Sequence, residues 1–253
     1  MMKFAPNILK FYLVGGSQDV GNDPDRFLYD VETALAAGGT AFQYREKGGS
    51  RLDHAATVKM ATRLHNLTRQ YRVPYFIDDD EELALQVGAD GVHVGQKDQQ
   101  IETVIRRAAG KLMIGYSCNT AAEIARANQL PAVDYVGAGP VFPTNSKADA
   151  DPALGLSELA RLNAASHHPL VAIGGISAAN LPATLQMGVA GVAVISMILA
   201  SPDITATVKA MRAAYQANKK AGPATQFSYS LATSSDRVRR IKQATMKATS
   251  RRT

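Results

Sequence analysis

The stretch that decides the fold is LQVGADGVHV, residues 85–94, because it recurs a hundred residues later as LQMGVAGVAV, residues 185–194. Each copy predicts the end of a helix, a tight turn at a glycine, and then a short buried strand. The recurrence indicates that one module of strand and helix is reused along the chain.

The same alternation extends outward from both copies, with short β-rich apolar runs between longer stretches of helical periodicity. The predicted strands are residues 11–15, 41–46, 74–79, 91–95, 113–118, 134–141, 170–174 and 191–196. The predicted helices are residues 24–37, 51–70, 80–88, 98–109, 120–130, 155–164, 178–188 and 203–216. Eight such units predict a single (β/α)8 TIM barrel, of class α/β, with a doubly wound open sheet as the weaker alternative.

Composition agrees with one large α/β domain, since 46% of the 253 residues are hydrophobic and 20% are charged. The apolar runs are far shorter than the ~20 residues that a membrane helix needs. The N-terminus lacks the continuous apolar segment of a secretion signal, so we expect a cytoplasmic protein without a membrane partner. The single cysteine, Cys118, excludes an internal disulfide, and we expect no catalytic role for it.

The formal charge of +6 is unevenly distributed. From residue 217 onward there are nine Lys and Arg against one Asp, a local charge of +8, which leaves −2 on the rest of the chain. We therefore predict a barrel catalytic domain over residues 1–216 and a basic, mobile C-terminal extension over residues 217–253. The body offers no basic face, so no nucleic-acid partner is expected.

Polar side chains follow the second predicted strand at every second position. Because strand side chains alternate between faces, Gln43, Arg45 and Lys47 share one side, whereas Tyr44 and Glu46 share the other. Two cations on one face favour an anionic ligand, although an exposed edge strand with solvated charges is the alternative. In a barrel, this end of the strand is where reactive groups lie.

Two carboxylates follow the next two strands. Asp79 ends the third strand and Asp98 follows the fourth, and carboxylates from neighbouring strand ends can hold Mg²⁺ against substrate phosphates. The alternative for Asp98 is a cap on the fourth helix. Asp80 and its two glutamate neighbours are as readily explained as partners of a helix dipole. No histidine has a ligand-like partner, so no zinc site is expected.

The later strands end in groups suited to phosphate. Ser117 could bind a phosphate or cap the next helix, and the two alternatives stay open. Hydroxyls and a lysine in the long loop after strand six, and the turns after strands seven and eight, predict a second anion site. These residues are Thr144, Ser146, Lys147, Gly175, Ile195 and Ser196.

In their order and spacing, these segments resemble the thiamine-phosphate synthase family from about Phe11 to Tyr215. The resemblance implies a (β/α)8 barrel that condenses 4-amino-2-methyl-5-hydroxymethylpyrimidine diphosphate with thiazole phosphate, releasing pyrophosphate and forming thiamine monophosphate with Mg²⁺. A carboxylated thiazole precursor stays open as a substrate. The implied partners are these small molecules, and a homo-oligomer is left open.

Site residues carry over by motif. Gln43, Arg45, Lys47, Asp78, Ser117 and Lys147 match contacts to the pyrimidine diphosphate, Thr144, Ser146, Gly175, Ile195 and Ser196 match contacts to thiazole phosphate, and Asp79 and Asp98 match magnesium ligands. Arg45, Lys47 and Lys147 are the implied catalytic groups, because they would stabilise charge on the departing diphosphate. The chain departs from the family pattern at Asp78, commonly Asn, at Asp80, often Arg, and at Ser146, usually Thr.

Two other functions are alternatives to this one. A thiazole tautomerase of the same superfamily shares the barrel and phosphate cradle, but carries a His where this chain has Pro140 and lacks the paired carboxylates. The other rival is a non-catalytic protein that binds phosphate or nucleic acid through the basic tail.

Overall fold

The structure, a computed structural model, describes residues 3–146 and 151–220. Eight parallel strands form a closed barrel in chain order, and β8 pairs with β1 to complete it. This closure confirms the (β/α)8 barrel and excludes the open sheet. The strands are β1 (Phe11–Gly15), β2 (Ala41–Tyr44), β3 (Tyr75–Asp78), β4 (Gly91–Val94), β5 (Met113–Ser117), β6 (Tyr135–Ala138), β7 (Leu170–Ile173) and β8 (Gly191–Val194).

The helices surround the barrel: α1 (Pro24–Ala36), α2 (His54–Tyr71), α3 (Glu81–Val87), α4 (Ile101–Ala108), α5 (Ala121–Ala127), α6 (Gly155–Ala165), α7 (Leu181–Gln186), α8 (Ser196–Leu199) and α9 (Ile204–Lys220). The short α8 and two 3-10 turns, Pro6–Leu9 and Ser17–Val20, were not predicted. Helix α9 runs four residues past the predicted domain boundary at 216. Residues 221–253 lie outside the described part, so the boundary and the mobility of the extension stay predictions.

The repeated module explains both helix ends and strand starts. Gly88 follows α3 and Gly188 follows α7 by two residues, with φ angles of 72° and 77° that a residue with a side chain rarely adopts. Gly191 opens β8 where a Cβ atom would lie 1.9 Å from the Leu9 carbonyl oxygen. The glycines therefore let each helix turn directly into a strand.

Side chains fill the barrel on both sides of its strands. One layer packs between strands and helices, and a second cluster fills the interior with Tyr12, Phe76, Met113 and Tyr135 among others. The interior is a packed core rather than a pore, as expected of this architecture. Within the described ranges, none of the helices is long and apolar enough to cross a membrane.

The predicted strands run too far at their carboxyl ends. Strand β2 ends at Tyr44 and β3 at Asp78, so Arg45, Lys47 and Asp79 lie in the loops that follow. The polar side chains beyond each strand continue the alternating pattern, which is why the sequence overestimates strand length. The correction moves these groups from the barrel wall to its mouth.

Candidate active site

The alternation predicted for the second strand persists beyond its end. Gln43 is buried inside the barrel, and Arg45 reaches to 3.4 Å from Asp78 at the end of β3. On the other side, Glu46 accepts hydrogen bonds from the backbone N–H of Ser17 at 3.0 Å and from its hydroxyl at 2.5 Å. Arg45 therefore faces the barrel mouth, whereas Glu46 holds the loop after β1 in place through its hydrogen bonds to Ser17.

One ammonium group joins three carboxylates at the mouth. Lys47 Nζ forms an ion pair with Asp79 and lies 3.4 Å from Asp78 Oδ2 and 4.0 Å from Asp98 Oδ1. The structure thus brings together five of the predicted site residues from three successive strand ends. Arg45 and Lys47 face three carboxylates, so this group carries one net negative charge. We call it the carboxylate cluster.

A sharp turn separates Asp79 from Asp80. Asp79 has a φ of 60°, in the left-handed region, and its N–H donates to the His93 carbonyl oxygen at 2.7 Å. The next residue caps α3, because Asp80 Oδ1 accepts from the Leu83 N–H at 2.8 Å. Asp79 therefore points to the cluster, whereas Asp80 serves the helix, as expected of an acidic residue at a helix start.

Asp98 does not cap the fourth helix. Helix α4 begins at Ile101, three residues later, and Gln100 occupies its N-cap position. Asp98 Oδ2 instead accepts a hydrogen bond from the Gly95 N–H at 2.9 Å. The other carboxylate oxygen, Oδ1, faces Lys47. The capping alternative is therefore excluded.

Asp78 is the most enclosed of the three carboxylates, with 11% of its side chain exposed. Burial raises the pKa of Asp78, and the charges of Lys47 and Arg45 oppose that rise. The Asn that the family resemblance leads us to expect at this position would carry no charge. Asp78 thus adds a negative charge, with which Arg45 and Lys47 form ion pairs.

Inside the mouth, five polar side chains form a continuous hydrogen-bonded chain, which we call the interior network. Gln43 Nε2 donates to the Tyr12 hydroxyl at 2.9 Å, which lies 2.9 Å from the Tyr135 hydroxyl. His93 Nδ1 lies 3.1 Å from Tyr135 Oη, and His93 Nε2 lies 2.9 Å from Ser117 Oγ. The network connects Gln43 on β2 to Ser117 on β5.

The structure excludes one of the two alternatives for Ser117. Ser117 does not cap the next helix, since Thr120 caps α5 by accepting from the Glu123 N–H at 3.2 Å. Sequence reasoning found no metal-ligand partner for His93, and it missed the hydrogen-bond partners Tyr12 and Tyr135. Their inward direction follows from strand alternation, but their contact joins residues far apart in the chain.

An open cavity of about 570 Å³ lies among the loops that follow β6, β7 and β8. Gly175 lines it with a φ of 67°, and a Cβ there would lie 2.5 Å from the Phe142 carbonyl oxygen. Thr144 Oγ1 accepts from the Ser146 N–H at 3.2 Å. The cavity brings together every residue predicted for the second anion site except Lys147, which lies outside the described residues: Thr144, Ser146, Gly175, Ile195 and Ser196.

The same cavity is lined by Asp19, which sequence reasoning missed. Its Oδ2 accepts from the Gly16 N–H and from Gln18 Nε2, both at 2.9 Å, and Gln18 also donates to the Arg45 carbonyl oxygen at 2.8 Å. Burial raises the pKa of Asp19. Only its position after β1 could have indicated it, because no motif surrounds it.

The described residues provide neither a thiolate nor a many-ligand metal centre. Burial raises the pKa of Cys118 to about 12, so its thiol stays protonated at neutral pH. No group of three or more His, Cys, Asp or Glu side chains in residues 3–146 and 151–220 is arranged to hold a metal ion.

Comparisons with known proteins agree on one family. The sequence model described as "Thiamine monophosphate synthase" matches residues 11–198. The thiamine-phosphate synthase of Limosilactobacillus fermentum is 56% identical over 208 residues, covering 82% of this chain and 97% of the relative, and that of Limosilactobacillus reuteri is 51% identical over 215 residues, covering 85% and 100%. Among solved structures, the thiamine phosphate pyrophosphorylase from Pyrococcus furiosus superposes with a TM-score of 0.74 at 33% identity, covering 84% of this chain and 98% of that one.

Proposed function

The chain belongs to the thiamine-phosphate synthase family of transferases, and we propose that its barrel mouth joins the pyrimidine diphosphate to thiazole phosphate with Mg²⁺. The products are thiamine monophosphate and pyrophosphate. The pyrimidine diphosphate lies against the carboxylate cluster, and thiazole phosphate lies in the cavity between the loops after β6, β7 and β8.

The observation that carries this proposal is the single ammonium among three carboxylates. The cluster has one net negative charge, so it repels a diphosphate unless a further cation is present. Asp79 and Asp98 approach that ammonium from two strand ends, which supports a cation between them. Mg²⁺ fits, because it is usually held by one or two carboxylates together with waters and substrate phosphates.

Departure of the diphosphate is the step that the cluster assists. When bound, Mg²⁺ supplies positive charge next to the diphosphate oxygens. Arg45 offers a planar fork of N–H donors to the same oxygens, and Lys47 can move from its carboxylates to the leaving group on its flexible side chain. These preorganised charges favour the state in which the carbon–oxygen bond is breaking. Lys147 has the same proposed role.

The thiazole side of the mouth orients the attacking group. Ser196 opens α8, so its N–H has no partner within that helix and can donate to a phosphate. A phosphate held there and at Gly175 places the thiazole nitrogen toward the pyrimidine methylene carbon. Orientation of two bound reactants replaces a protein nucleophile, in keeping with the protonated thiol of Cys118.

The comparisons do not favour either rival. Relatives at 51% and 56% identity are synthases, rather than tautomerases or nucleic-acid-binding proteins. Cytoplasmic location, the lack of a nucleic-acid partner and the oligomeric state stay part of the proposal.

Measuring the binding of each substrate separately tests whether the barrel mouth holds two distinct subsites. Removal of Mg²⁺ by a chelator is expected to weaken binding of the pyrimidine diphosphate about a hundredfold, because the cluster then opposes the diphosphate. Binding of thiazole phosphate, measured by calorimetry in the same buffers, is expected to stay unchanged. Equal metal dependence for both ligands, or for neither, would contradict the assignment of the two subsites.

A further inference from the structure

The loop that follows β4 carries Asp98, and its backbone leaves the barrel wall before that residue is reached. The pairing of β4 with β5 ends at Val94 and Tyr116. Beyond this pair, the Gly95 N–H donates to Asp98 Oδ2 at 2.9 Å. A Cβ atom on residue 95 would lie 2.6 Å from the same oxygen, so glycine leaves room for the carboxylate. The loop thus turns in on itself, and a side chain makes its connection to β5.

That side chain is Gln96, which binds the last two residues of β5. Its Nε2 donates to the Ser117 carbonyl oxygen at 2.6 Å, and its Oε1 accepts from the Tyr116 hydroxyl at 2.8 Å. A carbonyl oxygen can only accept, so the orientation of the amide is fixed. Burial raises the pKa of Tyr116, so its hydroxyl keeps the proton that it donates. Both polar ends of one amide are therefore used on one strand end.

Gln96 lies between two groups of the proposed site. Asp98 follows it by two residues, and its Oδ1 lies 4.0 Å from Lys47 Nζ at the carboxylate cluster. Ser117, whose carbonyl oxygen Gln96 binds, is the residue whose hydroxyl is proposed to contact the pyrimidine diphosphate. A movement of residues 96–98 away from β5 would carry the Asp98 carboxylate away from the cluster and from Ser117 together.

We propose that Gln96 is a positioning residue, which ties the loop after β4 to the end of β5 and thereby holds Asp98 where a metal ion is bound. Gln96 itself touches neither substrate nor metal. Side chains that orient a metal ligand in this way commonly contribute tenfold or more, as an order of magnitude, to metal affinity. The inference rests on the proposed function and deepens it.

The test measures Mn²⁺ binding by electron paramagnetic resonance, with the pyrimidine diphosphate present. Mn²⁺ takes the same carboxylate and water ligands as Mg²⁺. Gln96→Met keeps the length of the side chain and loses both hydrogen bonds, and we expect the Mn²⁺ dissociation constant to rise about tenfold. Tyr116→Phe removes only one of the two bonds and should raise the constant about threefold. Gln96 is exposed, so its replacement should leave the melting temperature unchanged.

Gln99→Met is the matched control, and it should keep the wild-type constant. Gln99 is an exposed glutamine of the same loop, and its side chain forms no hydrogen bond within residues 3–146 and 151–220. Asp98→Asn separates the inference from the proposed function. If Asp98→Asn weakens Mn²⁺ binding while Gln96→Met and Tyr116→Phe keep the wild-type constant, the positioning role is wrong and the proposed function stands. If Asp98→Asn itself binds Mn²⁺ as the wild-type protein does, the proposed metal site fails, and the inference fails with it.

Discussion

Asp79→Asn is expected to lower kcat/KM about a hundredfold and to raise the Mg²⁺ concentration that gives half-maximal activity. The substitution removes one of the two carboxylates proposed to hold the metal, and loss of even a partner outside the coordination shell commonly lowers metal affinity or activity by about 10–100-fold. Asn tolerates the left-handed φ of 60° at this position as Asp does. Steady-state rates across a Mg²⁺ titration measure the effect.

Asp80→Asn is the control for this variant. It removes a carboxylate from the adjacent residue, yet Asn caps a helix about as well as Asp, so α3 is expected to keep its start. Activity and Mg²⁺ response should match the wild-type protein. An unchanged Mg²⁺ response in Asp79→Asn, with a wild-type melting temperature, would remove Asp79 from the metal site.

Arg45→Met is expected to lower kcat by about 10²–10³, the usual range for loss of one preorganised donor to developing negative charge. Arg45→Lys should recover part of the rate, because an ammonium keeps the charge but loses the planar fork. Single-turnover measurements with saturating substrates separate the chemical step from binding. A loss confined to KM would contradict a role in diphosphate departure.

Arg45 also pairs with Asp78, so its removal could act through the carboxylate it leaves behind. The double variant Arg45→Met/Asp78→Asn distinguishes the two causes. If Arg45 acts on the diphosphate, the double variant stays as slow as Arg45→Met, whereas recovery of the rate would assign the loss to an unpaired Asp78. Arg63→Met, which breaks a surface ion pair with Asp25 at 3.1 Å, should leave kcat unchanged.

The barrel and its strand positions could be predicted from the sequence because glycines such as Gly88 and Gly188 mark each return from helix to strand. The carboxyl ends of the strands could not be predicted. Polar side chains at every second position, such as Gln43 and Arg45, continue past the end of β2 at Tyr44. The gathering of Asp79 and Asp98 near Lys47 followed from one rule, that the carboxyl ends of parallel strands meet at one end of a barrel.

The interior network and Asp19 could not be predicted in the same way. Tyr12 and Tyr135 are 123 residues apart, and their hydroxyls meet only because β1 and β6 face each other across a closed barrel. Asp19 reaches the cavity through a 3-10 turn that no pattern marked. Both depend on three-dimensional closure rather than on local sequence.

The most direct test of the account is product formation from the two proposed substrates. Full-length protein mixed with the pyrimidine diphosphate, thiazole phosphate and Mg²⁺ should release one pyrophosphate for each thiamine monophosphate formed, and a chelator should stop both. Absence of thiamine monophosphate with Mg²⁺ present, from protein that melts cooperatively, would contradict the central claim.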